Sequence, residues 1–216
     1  MPGAMSLRIH PAPRSASLLL PLLALLCAGC ALKGMIQRPP PGIAEAQNRA
    51  LLEKLNELAE SGDWLIIRGF KPIDDQLAAM TQGPLSHVGI FDKEKGVVIE
   101  AERIGVHTTP LAAYIAKSYR IVLVRPDWAR GGGGAVAVTE AHKLCGRKYD
   151  FTGPVGLPIK GRHYCTELVV TVYRNYFRKT DVFEAIIMPM ALFAWGRVVW
   201  DSGIRDLMAT PGEEAK

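Results

Sequence analysis

Several function classes leave no mark on this 216-residue chain. No cluster of His, Cys and Asp has zinc-ligand spacing, so neither a metal nor any other cofactor is expected. The four glycines at 131–134 lack the Lys-Ser/Thr partner of a phosphate-binding loop. No internal repeat is visible. Lys and Arg outnumber Asp and Glu by 26 to 21, a formal charge of +5. These residues form no basic stripe and do not interleave with the sparse aromatics, so nucleic acid is not an expected partner. The excess gives no more than a weak attraction to anionic membrane surfaces. The apolar run at 18–26 falls short of the ~20 residues that a membrane-spanning helix needs. What remains is a globular composition, 49% hydrophobic and 22% charged, with the length of one domain.

The N-terminus carries the first positive signal. "MSLRIHPAPRSASLLLPLLALLCAGC" has two arginines, no acid, an apolar stretch and then small residues. That is the layout of a secretory leader. Its ending, "LLCAGC", resembles a bacterial lipoprotein signal, with Cys27 standing where that family usually has Leu. The resemblance implies that residues 1–29 are removed, that Cys30 receives diacylglycerol, and that the chain is anchored in the cell envelope. Ala31 is not Asp, which by the same resemblance implies the periplasmic face of the outer membrane. Loss of Arg8 and Arg14 with the leader lowers the formal charge to +3. Residues 30–42 read as a Pro-rich linker, in which Pro39, Pro40 and Pro41 favour a semi-rigid extended spacer. The folded domain is expected over 43–216.

Hydrophobic periodicity predicts a helix over 43–61, a strand at 64–68, and loop at 69–84. It predicts strands at 86–91 and 97–102 around the polar turn "DKEKG". A helix is expected to start at "TTPL", with Thr109 as cap and Pro110 at its first position. A strand at 120–124, a flexible glycine loop at 131–134 and a helix up to Cys145 follow. "CTELVVTVYRNYF" spaces Cys165, Leu168, Val169, Val172 and Tyr176 as one helical face. Mixed elements with short neighbouring strands predict an α+β domain, a small antiparallel sheet packed with helices.

Two residues invite chemistry. A four-residue loop, 92–95, would pair Phe91 with Gly96 and hence His87 with Glu100, whose side chains then share a face. A register shifted by two would bring Glu102 opposite instead; Glu100 is the preferred partner and Glu102 the reserve. Such a carboxylate fixes the imidazole's tautomer and orientation. The plain alternative is an exposed polar pair on a hairpin. Cys165 falls in the first turn of its helix, where the dipole and a neighbouring imidazolium favour thiolate, and where backbone N–H groups can stabilise an oxyanion. The plain alternative is a buried structural cysteine, a role that Cys145 fits better. Cys145 and Cys165 are expected as free thiols. His142 reads as mid-helix surface, His107 as loop, and His163 as too near Cys165 in sequence to face it.

"SGDWLI", "LSHVGIFDKEKGVVIEA", "GRKYDF" and "YCTELV", in that order, resemble the permuted papain-like hydrolases of the YaeF/YiiX group, relatives of the NlpC-type peptidases and of lecithin:retinol acyltransferase. The resemblance runs from about Gly62 to Val172. It implies a circularly permuted papain/NlpC-like fold with Cys165 as nucleophile, His87 as base and Glu100 as its orienter. It assigns no catalytic role to the matching Asp63, Tyr149 and Tyr164, and no substrate-binding residues. The implied function is a lipid-anchored thiol hydrolase (amidase or peptidase) working through an acyl-enzyme, on cell-wall peptide amides by its location. The alternatives are a lipid-directed esterase or acyltransferase, and a catalytically silent envelope lipoprotein that binds peptide or lipid.

Overall fold

A computed structural model describes residues 36–208. The leader, Cys30 and the first part of the linker lie outside the described residues. Six strands form one antiparallel sheet. They are β1 (Trp64–Gly69), β2 (His87–Asp92), β3 (Val97–Glu102), β4 (Gly105–Pro110), β5 (Ser118–Pro126) and β6 (Gly196–Asp201), in the spatial order β4-β3-β2-β1-β5-β6. The helices are α1 (Pro41–Leu58), α2 (Pro72–Thr81), α3 (Leu111–Ala116), α4 (Gly133–Leu144) and α5 (Cys165–Thr171). Among the described residues no helix is long and apolar enough to cross a membrane.

Both sheet faces are covered, so the central strand carries no polar alternation. Trp64 and Ile66 of β1 point into a core shared with Ala137 and Val138 of α4 and Leu168 and Val169 of α5. Leu65 and Ile67 point into a second core with Leu55 of α1 and Tyr114 and Ile115 of α3. "WLII" is therefore a strand buried on two sides, which its unbroken apolar run reflects. Trp64, Trp128 and Tyr173 meet edge-on or tilted at centroid distances near 6 Å, adding aromatic contacts to the first core.

Several predicted elements are corrected. Residues 69–84 contain α2, whose Pro72 stands in its first turn and whose Asp74 accepts from the Lys71 N–H at 2.9 Å. Thr109 is not a helix cap: it lies within a strand, β4, which ends at Pro110, and α3 starts at Leu111. Only part of the glycine run is loop, since Gly133 and Gly134 open α4. At Gly134 a Cβ would meet the Ser61 carbonyl oxygen at 2.2 Å, so the small residue allows α4 to press against the chain entering β1. The last helix face is shorter than its periodicity suggests, because α5 ends at Thr171 and a 3₁₀ turn covers Arg174–Tyr176.

The hairpin register also differs. Asp92 pairs with Val97 and Gly89 with Glu100, so the loop is 93–96, one residue later than expected. Gly96 takes φ +62, a conformation that L side chains rarely adopt, and Asp92 Oδ1 accepts from the Lys95 N–H at 3.2 Å. These two features close the turn on Asp92 rather than on Phe91.

Candidate active site

Cys165 opens α5 after Tyr164, which is extended at φ −96 and ψ 172. The flanking residues are tied down. Thr166 donates to the Ile187 carbonyl at 2.5 Å, and Tyr164 accepts at its hydroxyl from the Ile187 N–H at 3.1 Å. Thr166, Leu168, Val169 and Val170 are buried, and α5 packs on β2 and β3. Cys165 is itself half-buried and lines an open groove of about 680 Å³. Its thiol is thus held by a rigid helix start and faces space that a substrate can enter.

His87 is the first residue of β2 and Glu100 lies on β3. In the observed register Glu100 faces Gly89, so His87 and Glu100 are diagonal rather than directly opposed. Parity still puts both on one face, and Gly89 leaves room between them. His87 Nε2 lies 2.6 Å from Glu100 Oε2. With Nε2 committed, Nδ1 is the ring nitrogen left to face Cys165. Burial pulls the imidazole toward neutrality, but hydrogen bonds and charge from Cys165 and Glu100 outweigh it and raise its pKa to about 10. Burial pushes the Glu100 carboxyl up as well. His87, then Lys117, prevail and hold it down at about 2. The arrangement places the imidazole between a carboxylate and the Cys165 sulfur, so that one proton can pass between sulfur and ring.

Glu100 is fully buried, and an unpartnered carboxylate there would cost several kcal/mol. Three donors offset that cost. Besides His87 they are Thr109 Oγ1, at 2.5 Å, and Lys117 Nζ, at 2.6 and 2.5 Å from the two oxygens. Lys117 also reaches Glu102 at 3.0 Å and lies over the Tyr114 ring at 4.7 Å. Glu102, the reserve partner, therefore belongs to the ammonium. Burial and Glu100 push its carboxyl up, and Lys117 more than reverses them, leaving it below the usual range. Donor atoms of His87, Glu100 and Glu102 lie within 4.8 Å of one another, close enough to hold a cation. Lys117 already fills the space between the two carboxylates, so a metal ion there would have to displace a buried ion pair.

Lys117 and Thr109 escaped the sequence reading. Beside Pro110, Thr109 has the local pattern of a helix cap, and Lys117 follows α3 by one residue, where no spacing rule links it to Glu100. His107 is not loop: it lies on β4 opposite Glu100, with Nε2 3.8 Å from Glu100 Oε1 and 3.7 Å from Glu102 Oε2. His142 is not a free surface group either. Its Nε2 lies 2.7 Å from the buried Asp92 Oδ2, at the opposite end of the hairpin from His87. Cys145 is a free thiol, as expected, but it is exposed rather than a buried structural cysteine. Local desolvation raises its pKa and Lys95 opposes that.

Asp63 is a structural anchor. It accepts from Arg125 Nε and NH2 at 2.9 Å each and from the Glu60 N–H at 2.8 Å. Tyr149 lines the groove beside Cys165, and burial pushes its phenol up. His163 forms a bridge with Tyr149 in the backbone, and its Nδ1 lies 3.9 Å from Glu167 Oε2.

A family model described as permuted papain-like amidase enzyme, YaeF/YiiX, C92 family, matches residues 60–196. That span reaches past α5 into the segment leading to β6. A solved structure, the metalloprotein YiiX from Escherichia coli O157:H7, is 26% identical, with a TM-score of 0.47 over 55% of this chain and 67% of that one. No curated protein matches.

Proposed function

The chain belongs to the YaeF/YiiX family of permuted papain-like amidases, and from that premise we propose that it is a thiol hydrolase in which Cys165 attacks an amide or ester carbonyl, His87 is the base, and Glu100 orients His87. The observation that supports this most is a single imidazole flanked by Cys165 on one side and by the buried Glu100, at 2.6 Å, on the other. In the first half-reaction Sγ gives its proton to His87 and adds to the carbonyl carbon. The resulting oxyanion accepts from backbone N–H groups of the first turn of α5, which have no partner within the helix. Collapse breaks the C–N or C–O bond, and the leaving amine or alcohol takes the proton back from His87. Water then yields a proton to His87 as its oxygen attacks the thioester. The C–S bond breaks, the acid departs and the thiol is restored. Glu100 stays ionised throughout and stabilises the imidazolium in both halves.

Residues 1–29 act as a removed leader in this reading, Cys30 as the lipidated N-terminus, and 30–42 as the spacer holding the hydrolase at an envelope membrane. The supporting feature is "CAGC" after a short apolar run. The hydrolase reading is tested with p-nitrophenyl acetate and an acyl anilide. Turnover should vanish in Cys165→Ala and fall at least about a hundredfold in His87→Ala, the size of a lost general base. Unchanged turnover in Cys165→Ala would leave a silent binding protein as the better account.

A further inference from the structure

We propose that the groove beside Cys165 takes a long acyl chain carried on an anionic head group, so that the scissile carbonyl belongs to an acyl lipid rather than to a polar peptide. The inference rests on the thiol hydrolase reading for its chemistry and on the groove walls for its specificity.

The groove volume, about 680 Å³, suits a small-molecule ligand. Its wall away from the catalytic network is apolar: Ile73 and Leu77 of α2, Ile104 of the β3–β4 turn, and Phe151 and Pro154 of the loop between α4 and α5. Three of these are strongly exposed, Ile73 at 52%, Ile104 at 77% and Phe151 at 60%. Single exposed apolar residues are ordinary, but here side chains from three separate segments face one groove. The same loop also carries Val155 and Leu157, at 64% and 67% exposure. An extended alkyl chain leaving the thiol along this wall would cover surface that water now covers.

The polar groups of the groove are largely engaged. Ser86 donates to Asp74 at 2.7 Å, and Lys117 holds Glu100 and Glu102. Few donors or acceptors remain along the trough for the repeated amides of a peptide, which would then be desolvated without partners. Charge, by contrast, is available at the mouth. Arg103 is exposed there and makes no described ion pair, and Lys71 is exposed with a long 3.3 Å contact to Glu102. Lys160, on the same apolar loop, also has no described ion pair. An apolar trough with a cationic rim complements an acyl chain bearing an anionic head. In the reaction, the chain would form the thioester on Cys165 and leave as the free fatty acid, while the head group departs as the protonated alcohol or amine.

Chain length is the discriminating variable. With p-nitrophenyl esters from acetate to decanoate, kcat/KM should rise up to about fourfold per methylene until the trough is filled. Ile104→Asp and Phe151→Asp, both at exposed positions, should flatten that rise. In parallel, cis-parinaric acid should bind saturably to Cys165→Ala, with fluorescence displaced by decanoate and not by acetate. Fatty acid release from phosphatidylglycerol vesicles should exceed that from phosphatidylcholine vesicles, and Lys71→Ser with Arg103→Ser should remove the difference. Cys165-dependent acetate hydrolysis with a flat length profile and no parinarate binding would overturn the acyl inference and leave the hydrolase reading intact. Parinarate binding without turnover of any ester would instead sink the hydrolase reading and keep the trough. Cleavage of a muropeptide amide with no response to chain length would put the peptide substrate in front.

Discussion

Glu100 has no exposed surface, yet it stays ionised because His87, Thr109 and Lys117 together replace the water it has lost. Its worth to His87 can be measured. Glu100→Gln keeps a hydrogen-bond acceptor but removes the charge, a loss of about 1.5–3 kcal/mol at a charge-assisted contact. Turnover should drop roughly 10- to 100-fold, and the alkaline limb of the pH profile should move to lower pH, because an imidazolium whose pKa is raised to about 10 loses part of its support. A limb that stays in place would mean that Glu100 is only packing. Lys117→Met removes one donor from a buried charge and should cost about 3 kcal/mol in urea unfolding. Iodoacetamide should modify Cys165 before Cys145, since Cys165 has His87 to take its proton and Cys145 has only the Ala141 carbonyl, at 3.9 Å, and a raised pKa. Of this network the sequence reading offered only the ends: a His on one strand and a Glu on the next signal a hairpin pair. Lys117 and Thr109 come from a strand and a helix end that local patterns did not connect to it.

The elements that were legible in the sequence were those with one strong period. "WLII", "HVGIFD" and "VVIEAE" read as strands because their apolar runs are short and bounded by turn residues. The missed helix, α2, has a weak apolar face and lies half in the groove wall, so its periodicity is diluted by polar residues that cap it. The missed strand, β4, is a sheet edge of the sequence "GVHTTP", whose outward residues are polar. The observed register is the reserve one, shifted by two: a loop that starts one residue later raises the pairing sum by two while preserving the face, so both registers fit the same apolar pattern. Diagonal neighbours remain close enough for a long Glu side chain to meet His87. Two glycines test how the elements lock. Gly96→Ala meets no atom within 4 Å and carries only the positive φ, so it should cost about 1 kcal/mol. Gly134→Ala drives a methyl into the Ser61 carbonyl and should cost more, about 2–3 kcal/mol. Equal thermal shifts for the two would mean that α4 does not press on β1 as described.

At the scale of the whole molecule, the His87–Glu100 pair also sets a pH window for stability. The Glu100 pKa falls from 4.5 to about 2 on folding, so its contribution is complete above pH 4.5 and is lost as pH falls toward 2. The His87 pKa rises from 6.5 to about 10, so its contribution is complete below pH 6.5 and is lost as pH rises toward 10. The network therefore stabilises most between 4.5 and 6.5. Urea midpoints of the wild type, compared with Glu100→Gln across pH, should diverge most in that interval. The proposed anchor acts at the same scale: Cys30→Ser should move the protein from the membrane fraction to the soluble fraction, and retention with labelled lipid would refute it. The most direct test of the central claim is to trap the acyl-enzyme. Mixing the protein with p-nitrophenyl decanoate, quenching in acid and mapping peptides by mass spectrometry should place one decanoyl group on Cys165, absent in Cys165→Ala and slow to form in His87→Ala. A decanoyl group on another residue, or full ester turnover by Cys165→Ala, would contradict the account.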